Sequence, residues 1–353
     1  SIFILGALFG RFYGGKQIEV MGSKKMLMIG IIISVIVTML YFVQGNIYFL
    51  IIVRLLHGIG LGLATTATGT IVAQIIPRSR SGEGISYFSL GMVLTMAIGP
   101  LIGILLINYL GYTSLFVFSL IMGIICLVIS IPLKAPHVIE DLEEVPKKKG
   151  LRLTDYFEVR AIPIATVMLI AALAYSSILS FITSYTTELD LVKAGSFYFL
   201  VYAIVISLSR PITGKIMDIK GPNSVAYPSL VIFAIGLFIL SQVNSSSLLL
   251  LAAAVLGLGY GNFQSIAQAL AIKVTPRHRL GLANSTYFIF LDLGLGFGPF
   301  ILGYLVPYIG FRGMYLSLVP VVFIALLVYY LLCGRKRIGK METTELRYAK
   351  KSS

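Results

Sequence analysis

The sequence predicts an all-α membrane protein made of two repeated helical halves, and three observations carry that reading. Hydrophobic residues fill 58% of the 353 positions and charged residues 12%, with a mean hydropathy of +0.94. That is more apolar surface than a single soluble core of this length can bury. The apolar residues run in long unbroken segments on the scale of the ~20 residues that a crossing helix needs, whereas barrel strands would alternate over ~10. Finally, landmark residues recur at one fixed offset of 199, the mark of an internal repeat.

Taken in order, eleven apolar segments are predicted as helices, at about 1–15, 26–43, 47–75, 84–108, 113–133, 159–186, 195–214, 225–243, 247–271, 282–306 and 313–333. The stretch 134–157, with Pro136, Pro146, a run of acids and Lys147 to Lys149, is the one long polar connection. It divides the chain into an N-terminal half at 1–133 and a C-terminal half at 158–333, followed by a basic tail at 334–353. Segments 26–43, 113–133, 225–243 and 313–333 are apolar nearly all round, as lipid-facing helices are.

The formal net charge of +14 does not indicate nucleic acid, because the basic residues sit in short clusters between apolar runs, where anionic headgroups are the partner. One set of connections holds Lys16, Lys24, Lys25, Arg78, Arg80, Lys134, Lys215, Lys220, Arg277 and Arg279 along with the central lysines and the tail. The opposite set holds Lys193 and Arg312. Basic residues stay on the cytoplasmic side, so the central connection and the C-terminus are expected there, in a multi-pass protein of a bacterial plasma membrane. Cys126 and Cys333 stand far apart and provide neither a disulfide framework nor a metal site. No cofactor is expected, and no nucleophile and base pairing or phosphate loop suggests an enzyme.

Under the offset of 199, Arg11 falls on Arg210, Gly15 on Gly214, Glu19 on Asp218 and Gly22 on Gly221. Gly58, Gly60 and Gly62 fall on Gly257, Gly259 and Gly261; Pro77 falls on Pro276, Gly99-Pro100 on Gly298-Pro299 and Gly111 on Gly310. Residue 1 corresponds to residue 200, so segment 159–186 has no first-half partner. Eleven of twelve helices are therefore expected here, with the first one missing. Six plus six spans is the plan of transporters whose halves rock about a midplane site.

The run Gly15-Lys-Gln-Ile-Glu19-Val-Met-Gly22-Ser-Lys24-Lys25, with its second copy Gly214 to Asp218 to Gly221, resembles the loop signature of the major facilitator superfamily. Arg54-Leu-Leu-His57-Gly58-Ile-Gly60 resembles its Arg-x-x-x-Gly-x-Gly motif. Gly99-Pro100-Leu-Ile-Gly103 resembles the core of the Gly-Pro motif of its drug:proton antiporters, with Thr95 and Ile104 where that motif carries Gly. The second copy has Gly294, Gly298 and Pro299. The resemblance implies the two-half major facilitator fold, loops that latch the halves together on the cytoplasmic side, and export of small amphipathic compounds by proton exchange. A dedicated carrier of a sugar, organic acid or siderophore-like chelator is the alternative. A non-transporting receptor on the same scaffold is the further one.

Ionisable groups within spans are costly and mark functional sites. Arg54 and Asp292 lie at similar depths, with Asp292 the candidate proton carrier, Arg54 the partner of Asp292 or of an acid in the missing helix, and His57 a candidate relay. A static charge pair is the plainer reading for the first two, and packing for the histidine. Tyr175, Tyr202, Asn262, Gln264 and Tyr287, with Tyr198 and Tyr260, are candidates to line a substrate cavity, since aromatic faces suit amphipathic solutes; their rival role is filling helix contacts. The glycines from Gly58 to Gly62 are explained by close helix packing alone.

Overall fold

The computed structural model describes residues 2–43, 45–136 and 155–335. Most of the central connection and nearly all of the basic tail thus lie outside the described residues. Helices α1 (Ile2–Met21), α2 (Ser23–Leu40), α3 (Ile47–Ile75), α4 (Ser81–Leu110) and α5 (Tyr112–Ser130) precede the central connection. After it come α6 (Ile162–Glu188), α7 (Val192–Lys220), α8 (Asn223–Ser241), α9 (Ser246–Leu256), α10 (Asn262–Lys273) and α11 (Leu280–Tyr329). No strand occurs among the described residues.

Each of the eleven apolar segments falls on helix. Segment 247–271 is one crossing made of α9, a π turn at Gly257–Gly261, and α10. Segments 282–306 and 313–333 both fall on α11, which reverses direction at Gly310, φ 67°. Among the described residues, nine helical stretches are long and apolar enough to cross a membrane; α1, with Arg11, Lys16 and Glu19 in its 20 residues, is not among them.

One expectation needs correction. The signature after Gly15 is not a loop, because α1 stays helical to Met21 and α7 to Lys220. Nothing in either run breaks a helix until Gly22 and Gly221, at φ 85° and 87°. Among the described residues, the positive-φ glycines are Gly22, Gly111, Gly221 and Gly310, two pairs under the offset of 199. At these points a residue with a Cβ is strained, so the repeat preserves its reversals of chain direction.

Within the first half, α3 packs on α1 and α2, and α5 rests on α2 and α4. Contact between α1 and α3 is backbone to backbone: a Cβ at Gly58 would collide with the Phe3 carbonyl oxygen, and one at Gly62 with that of Ala7. Gly58 and Gly62 are therefore packing residues, as their spacing suggests. In the second half α6 is buried against α11, and α8 against α9 and α11. The halves meet where α1 touches α11 and where α4 touches α7. By contrast, α5 buries only Ser130.

Candidate functional site

Arg11 is placed by α1 at its contact with α11. Its Nε donates to Asp292 Oδ2 at 2.7 Å, its Nη1 donates to Thr65 Oγ1 at 3.0 Å, and its guanidinium lies 4.5 Å from the Phe288 ring centroid. The two charged side chains are 7% and 15% exposed, so this is a buried ion pair joining the halves. Asp292 also reaches the wall of a 310 Å³ cavity, otherwise lined by apolar residues of α1, among them Ile4 and Leu8, and of α11, among them Phe297 and Phe300.

This corrects the expected partnership. Arg54 does not meet Asp292; it lies on the side of α3 toward α2, 6.0 Å from the Tyr41 ring centroid. His57 shares that side, with Nδ1 3.3 Å from the Tyr41 hydroxyl and its ring edge-on to Phe3. The sequence puts Arg54 and Asp292 at similar depths, but the direction around the helix axis differs. The acid's partner is Arg11, whose repeat mate Arg210 marks a shared intramembrane arginine. That was the available signal.

The tyrosine and amide candidates are brought together, but away from that cavity. Tyr175 stacks on Tyr260 at 3.8 Å and on Tyr202 at 5.8 Å. The Tyr287 hydroxyl donates to the Gln264 carbonyl at 2.7 Å, and the Gln264 side chain accepts from Arg210 at 3.2 Å. Asn262 is occupied by Ser209, Leu258 and Thr213, which ties α10 to α7. None of these five stands on the wall of the 310 Å³ cavity. The group is centred on Arg210, 1% exposed.

At the end carrying the basic connections, the signature residues bridge the halves. Both Asp218 carboxylate oxygens accept from the first turn of α4, from Gly82 N and Glu83 N, each at 2.8 Å. An acid here meets the free N–H groups and positive end of a helix. Gly214 lets α7 close on Gly82 and Ser86, and Gly15 lets α1 close on Gly281 and Ser285, the same positions under the repeat. Ser285 Oγ donates to the Arg11 carbonyl at 2.7 Å.

Glu19 behaves differently from its mate Asp218. It stands 4.0 Å from Arg279, which also binds the buried Glu158 at 3.0 Å. Burial pushes the Glu19 carboxyl up to about 7; Arg279 opposes this, while Glu158 and Asp155 add to it. Lys24 donates to the Ile131 carbonyl at 2.9 Å, tying the α1–α2 junction to the end of α5, while Lys25 is exposed.

The two Gly-Pro copies also differ. Gly298 presses on Ser176 of α6, whereas a Cβ at Gly99 meets nothing within 4 Å and one at Gly103 only Leu115. Pro100 and Pro299 both continue their helices. Away from the basic end, α4 and α11 expose Leu94, Ile98, Phe297 and Phe300. The signature residues bridge the halves at the basic end, and farther from it Ile4 of α1 still approaches Gly296 of α11. Among the described residues, no group of three or more His, Cys, Asp or Glu side chains is placed to hold a metal.

The family model described as Major Facilitator Superfamily matches residues 1–242 and 194–348. An MFS-type transporter of Methanocaldococcus jannaschii is 24% identical over 330 residues, covering 88% of this chain and 84% of that protein. Multidrug resistance protein MdtG of Salmonella arizonae is 26% identical over 323 residues, covering 89% and 78%. The fucose:proton symporter FucP of E. coli superposes with a TM-score of 0.75 at 13% identity, covering 93% of this chain and 89% of that one.

Proposed function

As the chain belongs to the Major Facilitator Superfamily, we propose that it is a proton-coupled exporter of small amphipathic compounds that works by alternating access. The observation that carries this reading is the Arg11–Asp292 ion pair at the wall of the cavity. The similarity to multidrug resistance protein MdtG supports the substrate class. So does the cavity wall, which is apolar apart from Asp292 and offers a sugar few hydrogen-bonding partners.

Asp292 is reachable from the cavity, and the bond it makes crosses the halves. A proton taken up there neutralises the carboxylate and leaves Arg11 with Thr65 and the Phe288 ring. The α1–α11 contact is then weakened and the basic end opens. Loss of the proton at that end, with a solute bound, restores the pair and returns the cavity to the opposite side. In this scheme the basic end is cytoplasmic and the membrane is the bacterial plasma membrane, following the distribution of Lys and Arg. Asp218 and Glu19, with their partners, close the cytoplasmic end.

The test is solute-driven proton movement in proteoliposomes loaded with a pH-sensitive dye, comparing lipophilic cations with sugars and organic acids. Proton flux with lipophilic cations is expected. Flux with one metabolite class alone replaces this reading with a dedicated transporter, and no flux with any solute leaves a binding protein.

A further inference from the structure

Arg11 and Arg210 are repeat mates, and their surroundings match position by position. Thr65, which accepts from Arg11, falls on Gln264, which accepts from Arg210. Phe288, beneath Arg11, falls on Ser89, whose carbonyl accepts from Arg210 Nη1 at 2.6 Å. Both arginines thus reach across to the other half. The correspondence fails at two places: Arg210 bonds the Gly261 carbonyl, whose mate Gly62 does not bond Arg11, and Asp292 falls on Val93, a buried residue of α4 one turn beyond Ser89.

Arg210 therefore lacks the carboxylate that Arg11 has. Its other bonds go to the Gly261 carbonyl, from Nε at 3.1 Å and Nη2 at 2.8 Å. All its acceptors are neutral, although the side chain is almost wholly buried. A buried cation is ordinarily matched by a counter-charge. Unused donors stand on the same elements. The hydroxyls of Tyr260, next to Gly261, of Ser207, one turn away on α7, and of Ser86, one turn from Ser89 on α4, are buried and have no hydrogen-bond partner. A cation with spare O–H donors and no acid is the chemistry of an anion site.

We propose that Arg210 receives the carboxylate, or a like monoanionic group, of an aromatic solute when α4 moves off α7. This rests on the alternating-access reading, since the Arg210–Ser89 bond crosses the halves and is lost when the basic end opens. The anion then supplies to Arg210 what Asp292 supplies to Arg11, beside the stacked rings of Tyr175, Tyr202 and Tyr260. The two repeats carry divided roles: one holds its counter-charge internally, and the other takes it from an anionic solute, so that aromatic carboxylates join lipophilic cations among the amphipathic compounds carried.

The probe is benzoate, with benzyl alcohol and benzylamine as neutral and cationic counterparts, titrated calorimetrically into the chain in phosphatidylcholine nanodiscs, where no lipid anion competes. Benzoate binding is expected to exceed that of both counterparts, to fall at least tenfold in Arg210→Gln, and to survive in Arg210→Lys. Val93→Asp gives Arg210 an internal acid and is expected to abolish benzoate binding with the fold intact by circular dichroism, so the test does not depend on Arg210→Gln folding. No benzoate binding, binding unchanged in Val93→Asp, or equal binding of benzyl alcohol overturns the proposal. Proton flux driven by lipophilic cations is read separately: flux without an anion site rejects this inference alone, and benzoate binding without any solute-driven flux rejects the transport reading alone.

Discussion

Replacing Asp292 with Asn removes one charge and keeps the shape of the side chain, which isolates the ion pair from packing. The two partners are 7% and 15% exposed, and removing one member of a buried pair costs ~3–5 kcal/mol. Arg11 keeps its bond to Thr65 Oγ1 and its place over Phe288, so the low end of that range applies, about 3 kcal/mol. Because the pair joins the halves, this loss falls on the state closed at the basic end. About 3 kcal/mol is a shift of about 150-fold between the two states. Two assays read it. Solute-driven proton flux is expected to vanish in Asp292→Asn, and a cysteine placed at Ala73, buried at the basic end beside Ile85 and Ile272, is expected to react with a maleimide up to about 100-fold faster. Normal expression with unchanged flux and unchanged labelling would refute the coupling role of the pair.

Three further outcomes follow from the geometry. Asp218→Ala removes both carboxylate bonds to the first turn of α4 and is expected to cost ~1–2 kcal/mol, read as a lower melting temperature and faster labelling at the same Ala73→Cys position. Gly298→Ala drives a methyl group into Ser176; an overpacking cost of ~1–3 kcal/mol is expected in thermal unfolding, with recovery in the double variant Gly298→Ala, Ser176→Gly. Because burial raises the Glu19 carboxyl from 4.5 to about 7, its contribution to stability is complete below pH 4.5 and is lost as the pH rises through about 7. Melting temperature is therefore expected to fall between those values, and Glu19→Gln to remove that part of the slope; an unaltered slope would show that Glu19 does not titrate there.

The helices were legible because lipid imposes a simple rule: every crossing is a long apolar run, and all eleven segments are helical. The repeat was legible because its markers are glycines and prolines, whose backbone demands survive when other side chains drift. Gly22 and Gly221, Gly111 and Gly310 carry positive φ in both copies. The site was only half legible. Asp292 announces itself as a charge at depth, but its partner depends on which way each helix faces. In α3 and α11, which lack a strong polar stripe, little in the sequence fixes that rotation. Arg54 was therefore the natural partner by depth and the wrong one by direction, and Arg11, four residues before the signature, stood only as a landmark of the repeat. The extension of α1 and α7 past their apolar runs was hidden for a related reason: hydropathy marks where lipid ends, not where a helix does.

Gly111 is the whole connection between α4 and α5. A joint of one residue has no slack, so α4 cannot swing without carrying α5 along. Yet α4 bears the contacts that bind the halves, through Gly82, Glu83 and Ser89, while α5 rests on α2 and α4 with Ser130 its one buried residue. In the proposed alternating-access cycle, each change of state therefore reshapes the protein's outline in the bilayer as well as its interior. Work is done against the lateral pressure of the acyl chains, and the bilayer in turn gains a say in the equilibrium. Stiffer or thicker membranes should bias this protein toward one conformation, independently of solute and proton.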